Sequence, residues 1–467
     1  MTSPVRRAGV FAALSTLSLA VPLAGPAIAT GVAAVVLLGA FLVTDVTGPA
    51  FEALAYPGDY EDGRLYGLIT FVLSAVVLGL LAVGSSMPLS VFVGTVVLVG
   101  YGNLAERLVR ARTATGTDAD SETETETETD TNTDSDTDNE IAAVTGFCLV
   151  ATVAAVAGQA AVYALTNVPI EPRLPTILFL AASGALLAAL LRDAFLIYDD
   201  PVVMLSVGLL LWLLAELGPE LGAIEIVGAL AVTVALGYVS YALDTASIAG
   251  MITGILLGLL TVVLGDYNWF VVLIAFFGIG GLSTKFRYTR KEELGVAEEN
   301  NGARGSGNVL GNAAVAIAAV LGYAASSTAL LSISAELFLF AFAGSVATAM
   351  SDTLSSEVGS VFETPRLITT LEPVDPGTDG GVTWQGEVAG LLGAAIVAGL
   401  SYVLFPVVDP IGAVIIVAAG VAGMTVDSLL GATLEGSVLG NQGVNFLATL
   451  AGALVCALLM IPIAVLG

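Results

Sequence analysis

Apolar runs of about 18 residues or more recur along the chain between short polar stretches, and this pattern predicts helices that cross a bilayer. The runs centre near residues 16, 37, 75, 94, 153, 186, 210, 231, 256, 275, 316, 341, 396, 420 and 455, which gives about fifteen spans. Strict alternation of apolar and polar positions is missing, so a barrel does not fit. The predicted fold is all-α, a polytopic helical membrane protein. The first span admits two readings. Arg6 and Arg7 precede an apolar stretch ending Ala27-Ile28-Ala29, which also fits a cleavable signal peptide.

One interruption differs from the rest. Residues 113 to 140, TATGTDADSETETETETDTNTDSDTDNE, are low in complexity, charged and without apolar anchors, the composition of a disordered linker. Their acids lack the spacing of an EF-hand, so a solvated tether is favoured over a calcium site. The resulting division is a four-span leader over 1–106, an acidic linker over 107–140, further transmembrane helices without legible purpose over 141–234, and a domain rich in chemistry over 235–467.

Composition sharpens this picture. The 467 residues are 56% hydrophobic with a mean hydropathy of +0.93, and the 53 glycines suit close helix packing in lipid. The net charge is −27, from 41 acidic and 14 basic residues, and only Lys285 and Lys291 are lysines. Nucleic acid is therefore excluded as a partner. Without the 11 acids of the linker, 30 acids still face 14 bases, so acidity belongs to the whole surface. It reads as a halophile's adaptation to molar salt, where screening shortens the Debye length to about 3 Å. Histidine is absent, which rules out histidine bases, histidine zinc sites and Ser-His-Asp triads. Cys148 and Cys456 are isolated in apolar runs and read as packing residues.

Alternating through fifteen spans from a cytoplasmic Arg6 and Arg7 puts every other cation except Arg173 inside, as the positive-inside rule expects. The expected location is the cell membrane, with the functional loops cytoplasmic. Three of those loops collect the polar residues of the second half: 283 to 312, 351 to 390, and 426 to 445. After Arg192, every basic residue lies in the first two. These cations hold the loops inside, and Lys285, Arg287, Arg290, Lys291, Arg304 and Arg366 are also the ones available to meet a polyphosphate.

Asp352 and Asp427 follow apolar runs that descend in the same direction, so both carboxylates are expected at the cytoplasmic helix ends. Their contexts, Ser351-Asp352-Thr353-Leu354 and Val426-Asp427-Ser428-Leu429, hint at an internal repeat. Charge near membrane depth is costly, about 2.5 to 3.5 kcal/mol on insertion scales, and Mg²⁺ shared with nucleotide phosphates would suit such a pair. Ser356 and Gly359 share the helical face of Asp352, whereas Glu357 points elsewhere. The spans near 316, 396 and 455 begin at the same face after GNVLGN, PGTDGGVTWQGE and GNQGVN, and helix N-termini favour anions. Asn308, Asn312, Asn441 and Asn445 lie at two of these starts. Gly377, Gly380 and Gly381 would let the backbone wrap a phosphate, with Thr378 and Thr383 adding hydroxyls.

Together these pieces resemble the transmembrane protein 19-like family, long catalogued as a membrane domain of unknown function, which includes the chloroplast phytyl-phosphate kinase. The resemblance rests on Thr284 to Arg287, Gly302 to Arg304 with GNVLGN, SDTLSSEVG, Pro365-Arg366 with Ile368-Thr369-Thr370, Pro376-Gly377-Thr378 with Gly380-Gly381-Val382, Asp427-Ser428 with Gly431-Ala432-Thr433, and Asn441 with Val444-Asn445-Phe446. It covers roughly residues 235 to 467. It implies a membrane-embedded kinase that transfers the γ-phosphoryl group of CTP to an isoprenyl monophosphate, phytyl or geranylgeranyl, at the bilayer. The spacing of Asp352, Ser355, Ser356 and Gly359 also looks like that of dolichol kinases and CDP-diacylglycerol synthases.

On this reading Asp352 and Asp427 hold metal, and Ser356 joins them as a catalytic group. Lys285, Arg287, Arg304, Asn308, Asn312, Arg366, Thr370, Asn441, Asn445 and the glycine loop contact nucleotide and phosphates. No Walker A or protein-kinase signature is present. A membrane cytidylyltransferase making a CDP-lipid would use the same parts. A secondary transporter would instead place its binding groups near the bilayer midplane.

Overall fold

The computed structural model describes residues 4–120, 131–194, 200–218, 222–296, 304–328, 330–362 and 364–466. Thirteen helices among them are long and apolar enough to cross a membrane. The two remaining predicted spans, centred near 37 and 256, fall on shorter apolar helices, Pro26–Leu42 and Ile248–Leu264. The protein is therefore an all-α, multi-pass integral membrane protein.

Packing divides the chain into Met1–Val227 and Gly228–Gly467. The first unit contains α1 (Pro4–Thr16), α2 (Ala20–Ala24), α3 (Pro26–Leu42), α4 (Pro49–Leu54), α5 (Asp59–Asp62), α6 (Tyr66–Gly84), α7 (Leu89–Asp120), α8 (Thr131–Leu165), α9 (Leu174–Ala194) and α10 (Asp200–Leu217). In α1, Phe11 is buried against Tyr56 and Phe71, with ring centroids 5.8 and 5.2 Å away. Helices α7 and α8 lie along one another through small residues. A Cβ at Gly102 would sit 2.7 Å from Phe147, and one at Gly146 2.9 Å from Val109. Arg192 of α9 reaches Glu106 of α7 at 2.8 Å, and Asn103 donates to Asp200 of α10 at 2.9 Å.

These contacts join the four-span leader to the helices that follow it. The boundary between the two packed units falls at 227/228, near the 234/235 division read from the sequence. The acidic stretch is not disordered at its ends: α7 continues to Asp120 and α8 already begins at Thr131. Extending a nucleated helix costs far less than starting one, so membrane helices run on into polar sequence. Residues 121–130, the middle of the expected linker, lie outside the described residues.

Helix α11 (Ala223–Ala242) straddles the boundary, and the second unit continues with α12 (Ile248–Leu264), α13 (Tyr267–Thr284), α14 (Tyr288–Leu294), α15 (Ser306–Ser327), α16 (Ala335–Gly359), α17 (Trp384–Leu404), α18 (Pro410–Leu434) and α19 (Asn441–Leu466). Between α16 and α17 a two-residue hairpin pairs β1 (Arg366–Leu367) antiparallel to β2 (Gly381–Val382). Helix α16 is the central rod, packed by α13, α15, α17, α18 and α19.

Small residues let the neighbours of α16 approach its backbone. Cβ atoms at Gly386, Gly390 and Gly393 of α17 would lie 2.7, 2.9 and 2.8 Å from the carbonyl oxygens of Ser355, Ser351 and Met350. Ser351 Oγ donates to the Gly390 carbonyl at 2.6 Å. At the far end of this unit, Trp269 packs against Tyr323, Phe342 and Phe405. At the other end α13, α16 and α18 finish while α12, α15, α17 and α19 begin, and the polar residues gather there.

Candidate functional site

Asp352 lies on α16 and Asp427 on α18, each seven residues before the end of a 25-residue helix. At about 1.5 Å per residue that is about 10 Å inside the helix tip. The sequence reading put both acids at the ends. The residues after them, Thr353-Leu354-Ser355-Ser356 and Ser428-Leu429-Leu430, are compatible with helix, and the rods run on for two more turns. The two side chains meet within hydrogen-bonding reach. Asp427 Oδ1 is sealed from solvent and has no hydrogen-bond donor.

Arg304 supplies the nearest opposing charge. It is buried, donates to Thr353 Oγ1 at 3.5 Å, and lies over the Phe276 ring at 5.5 Å. Its position is fixed through the backbone. Arg304 N donates to the Thr245 carbonyl and Ser247 N donates to the Arg304 carbonyl, each at 3.0 Å. That staple ties the segment leading into α15 to the start of α12. Gly250 makes it possible, because a Cβ there would collide with the Arg304 carbonyl. Gly280 leaves room for the guanidinium against α13, 3.2 Å from where its Cβ would be.

Glu435, which caps α18, adds negative charge beside the pair. Burial first, and the Asp379 carboxylate second, push its pKa above the ordinary glutamate value, against a hydrogen bond from Asn441. Asn441 opens α19, and Asn445 one turn later donates to its side-chain oxygen at 3.2 Å. Next door, at the start of α15, Asn312 donates to the Asn308 carbonyl at 3.0 Å. The two helix starts are packed together, since a Cβ at Gly311 would lie 3.0 Å from the Gln442 carbonyl.

The glycine loop reaches the same region from above α18. Gly380 has φ +74°, a conformation that side chains resist. A Cβ there would lie 2.6 Å from both the Ser428 carbonyl and the Ala432 amide. Gly377, at φ +83°, rests against Val296. Gly381 lies opposite Leu367 in the hairpin.

The structure thus brings Asp352, Asp427, Arg304, Asn441 and Gly380 into one neighbourhood. Other predicted residues have their described contacts elsewhere. Arg366 is exposed and donates to the Leu371 carbonyl at 2.7 Å, closing its own hairpin. The Thr370 hydroxyl accepts from Glu372 N, and that of Thr378 donates to the Asp375 carbonyl. Lys285 caps α13, and Arg287, exposed and at φ 47°, caps α14. Ser356 is exposed one turn beyond Asp352. Thr383 departs from the phosphate contact expected of it: buried against Gly359, its hydroxyl accepts from Gly386 N at 3.1 Å and caps α17.

Lys291 and Glu357 form a buried ion pair that sequence reasoning did not find. Lys291 Nζ also donates to the Thr284 carbonyl at 3.1 Å. Helix α16 runs unbroken to Gly359, so Glu357 does point away from Asp352, toward this lysine. No local signal pairs residues 66 positions apart. For Glu435 a signal existed, the four-residue spacing Asp427, Gly431, Glu435 on one face of α18.

Among the described residues, no group of three or more His, Cys, Asp or Glu side chains gathers as a metal cage. Two adjoining carboxylates, one with a buried and undonated oxygen, do fit a hard divalent cation that completes its shell with water and phosphate oxygens.

Comparison with known proteins gives this end of the chain its relatives. Residues 231–453 match the integral membrane protein family DUF92. An uncharacterized membrane protein of Methanocaldococcus jannaschii is 34% identical over 220 residues, 45% of this chain and 84% of that protein. Protein VTE6, chloroplastic, of Arabidopsis thaliana is 33% identical over 219 residues, 46% of this chain and 65% of VTE6. An uncharacterized membrane protein of Synechocystis is 32% identical over 191 residues, 40% of this chain and 72% of its relative. No solved structure matches significantly. With most of the archaeal protein covered at that identity, and with the matched residues containing both carboxylate helices, the chain belongs to the DUF92 family of integral membrane proteins.

Proposed function

We propose that this protein is a membrane-embedded, CTP-dependent kinase that converts an isoprenyl monophosphate, phytyl or geranylgeranyl, to the diphosphate. The observation that carries the proposal is the meeting of Asp352 and Asp427 from separate rods beside the buried Arg304, among three helix starts. The resemblance to the family that includes the chloroplast phytyl-phosphate kinase supports the isoprenoid direction, and the chloroplast protein VTE6 is a relative at 33% identity. On the topology read from the cations, this end of the second unit faces the cytoplasm, where the nucleotide is.

Asp352 and Asp427 would hold Mg²⁺, which when bound neutralises charge on the transferring phosphoryl group. Arg304 sits where it can meet a phosphate from the protein interior. The starts of α15 and α19 and the 376–382 loop can contact phosphate oxygens through backbone amides. An oxygen of the acceptor's phosphate bonds to the γ-phosphorus as the bond from that phosphorus to the β,γ-bridging oxygen breaks, and CDP leaves with the electron pair. A phosphate monoester, with a second pKa of about 6, is already dianionic at neutral pH. The reaction therefore needs no histidine and no general base, only positioning and charge.

Purified protein in molar salt with Mg²⁺, γ-labelled CTP and phytyl or geranylgeranyl monophosphate should yield labelled isoprenyl diphosphate and CDP. Pyrophosphate with a CDP-lipid would instead identify a cytidylyltransferase. Nucleotide-independent uptake by vesicles would identify a transporter. No label in any diphosphate, while an active control enzyme works, refutes the proposal.

A further inference from the structure

Arg304 borders two regions, its guanidinium against Thr353 and Gly280 and its backbone against Thr245, Ser247 and Gly250. On one side lies Asp352. On the other, Arg304 closes the end of a groove between α11, α12 and α13, whose walls include Gly237, Met251, Gly254, Ile274 and Phe277. Near Arg304 the groove is polar, where Ser240 and Thr245 share a hydroxyl hydrogen bond of 2.7 Å. Farther along, its walls are aliphatic and aromatic except for Thr233, whose hydroxyl donates to the Ala229 carbonyl at 2.9 Å.

Glycines open this space. Gly250, Gly254 and Gly258 recur at four-residue spacing on one face of α12. The outer two are occupied, Gly250 by the Arg304 carbonyl and Gly258 by Thr233 and Phe270, where a Cβ would sit 2.9 Å from each. A Cβ at Gly254 would meet nothing within 4 Å. Helix α11 touches α12 closely at Gly237, 2.6 Å from Ile255 by the same measure, so the gap lies between points of contact and is not a general looseness.

A cationic head beside the carboxylate pair, continued by an apolar trough along a membrane helix, is complementary to an amphiphile with an anionic head and a hydrocarbon tail. We infer that this groove is the acceptor site, in which Arg304 holds the phosphate of the isoprenyl monophosphate and the first isoprene units lie over Gly254 between α11, α12 and α13. The inference rests on the kinase reading and adds where the lipid enters, which residue measures it, and why Arg304 is stapled to α12. It gives Arg304 to the acceptor and leaves the nucleotide to the other face of the carboxylate pair.

Two measurements test it. The full-length protein in lipid nanodiscs is illuminated with geranylgeranyl monophosphate carrying a diazirine in its second isoprene unit, and adducts are mapped by mass spectrometry. Adducts on Met251, Ile274 or Phe277 that unlabelled geranylgeranyl monophosphate competes away support the groove. Adducts confined to other helices, or not competed, overturn it.

The second measurement is the ratio of kcat/KM for geranylgeranyl monophosphate to that for dimethylallyl monophosphate. Gly254→Phe, and more mildly Gly254→Leu, should lower this ratio by roughly tenfold or more, the scale of discrimination a filled apolar pocket gives. Gly278→Phe, an equal bulk on an exposed and open position of α13, should leave it within twofold. An unchanged ratio in both Gly254 variants overturns the groove while leaving the kinase standing. If the wild-type protein turns over no monophosphate at all, the kinase reading fails, and the adduct map alone decides the groove.

Discussion

Two carboxyl groups within hydrogen-bonding reach inside a membrane protein repel when both are ionised, and Asp427→Asn, whose amide can donate in place of a shared proton, should expose that repulsion. At about 4 Å and an effective permittivity of about 20, two like charges cost about 4 kcal/mol. Arg304, next to Asp352, relaxation of the helix ends and uptake of a proton by the pair offset most of this, which leaves about 1 to 2 kcal/mol recoverable by removing one charge. Asparagine keeps the size of the side chain, and its amide can donate to Asp352. The metal-free variant should therefore be more stable than the parent. Its kinase activity should fall by about a thousandfold or more, the scale of losing a preorganised electrostatic group. Reversible unfolding in mixed micelles with a chelator, alongside labelled-CTP turnover, reads both numbers. A gain in stability with a loss of activity marks a site whose charge is held for function. If Asp427→Asn destabilises the chelated protein, or keeps its activity, the two acids serve only helix packing and the argument from their juxtaposition fails.

Breaking the buried Lys291–Glu357 pair by Glu357→Gln should cost about 3 to 5 kcal/mol, because the ammonium is left with only backbone carbonyls, whereas the paired Lys291→Met, Glu357→Leu variant should recover most of that loss; a double-mutant cycle in micelles measures the difference. Gly380→Ala forces a positive φ and a collision with the Ala432 amide and Ser428 carbonyl, so it should lift the glycine loop from α18 and raise the KM for CTP more than that for the lipid in steady-state assays. Glu435 has a raised pKa, so its folded form holds a proton more tightly than its unfolded form does. Ionisation then weakens the fold as pH rises. In chelator, the melting temperature of Glu435→Gln should match the parent's below the ordinary glutamate value of 4.5 and exceed it progressively above. A constant offset across pH would contradict that assignment.

The membrane fold was legible because hydrocarbon thickness is a one-dimensional constraint: a run such as Val414 to Thr425 must become helix to satisfy its backbone, whatever it packs against. Histidine's absence and the placement of Asp352 and Asp427 after parallel descending runs likewise restrict the chemistry to carboxylates and cations without reference to the tertiary structure. The family motifs pointed to the same half of the chain. What no local pattern encoded was distance. The sequence offered six cations for one site, and only packing separates them: Arg304 is stapled to α12 beside the acids, Lys291 is taken up by Glu357, and Arg366 closes its own hairpin. The leader's union with α8–α10, through Glu106, Arg192 and Asp200, was equally hidden, because side chains about 90 residues apart meet only when helices choose their neighbours. Bilayer length fixes each rod independently; which rods touch depends on small residues and charges matched across the whole unit, and that matching exists only in three dimensions.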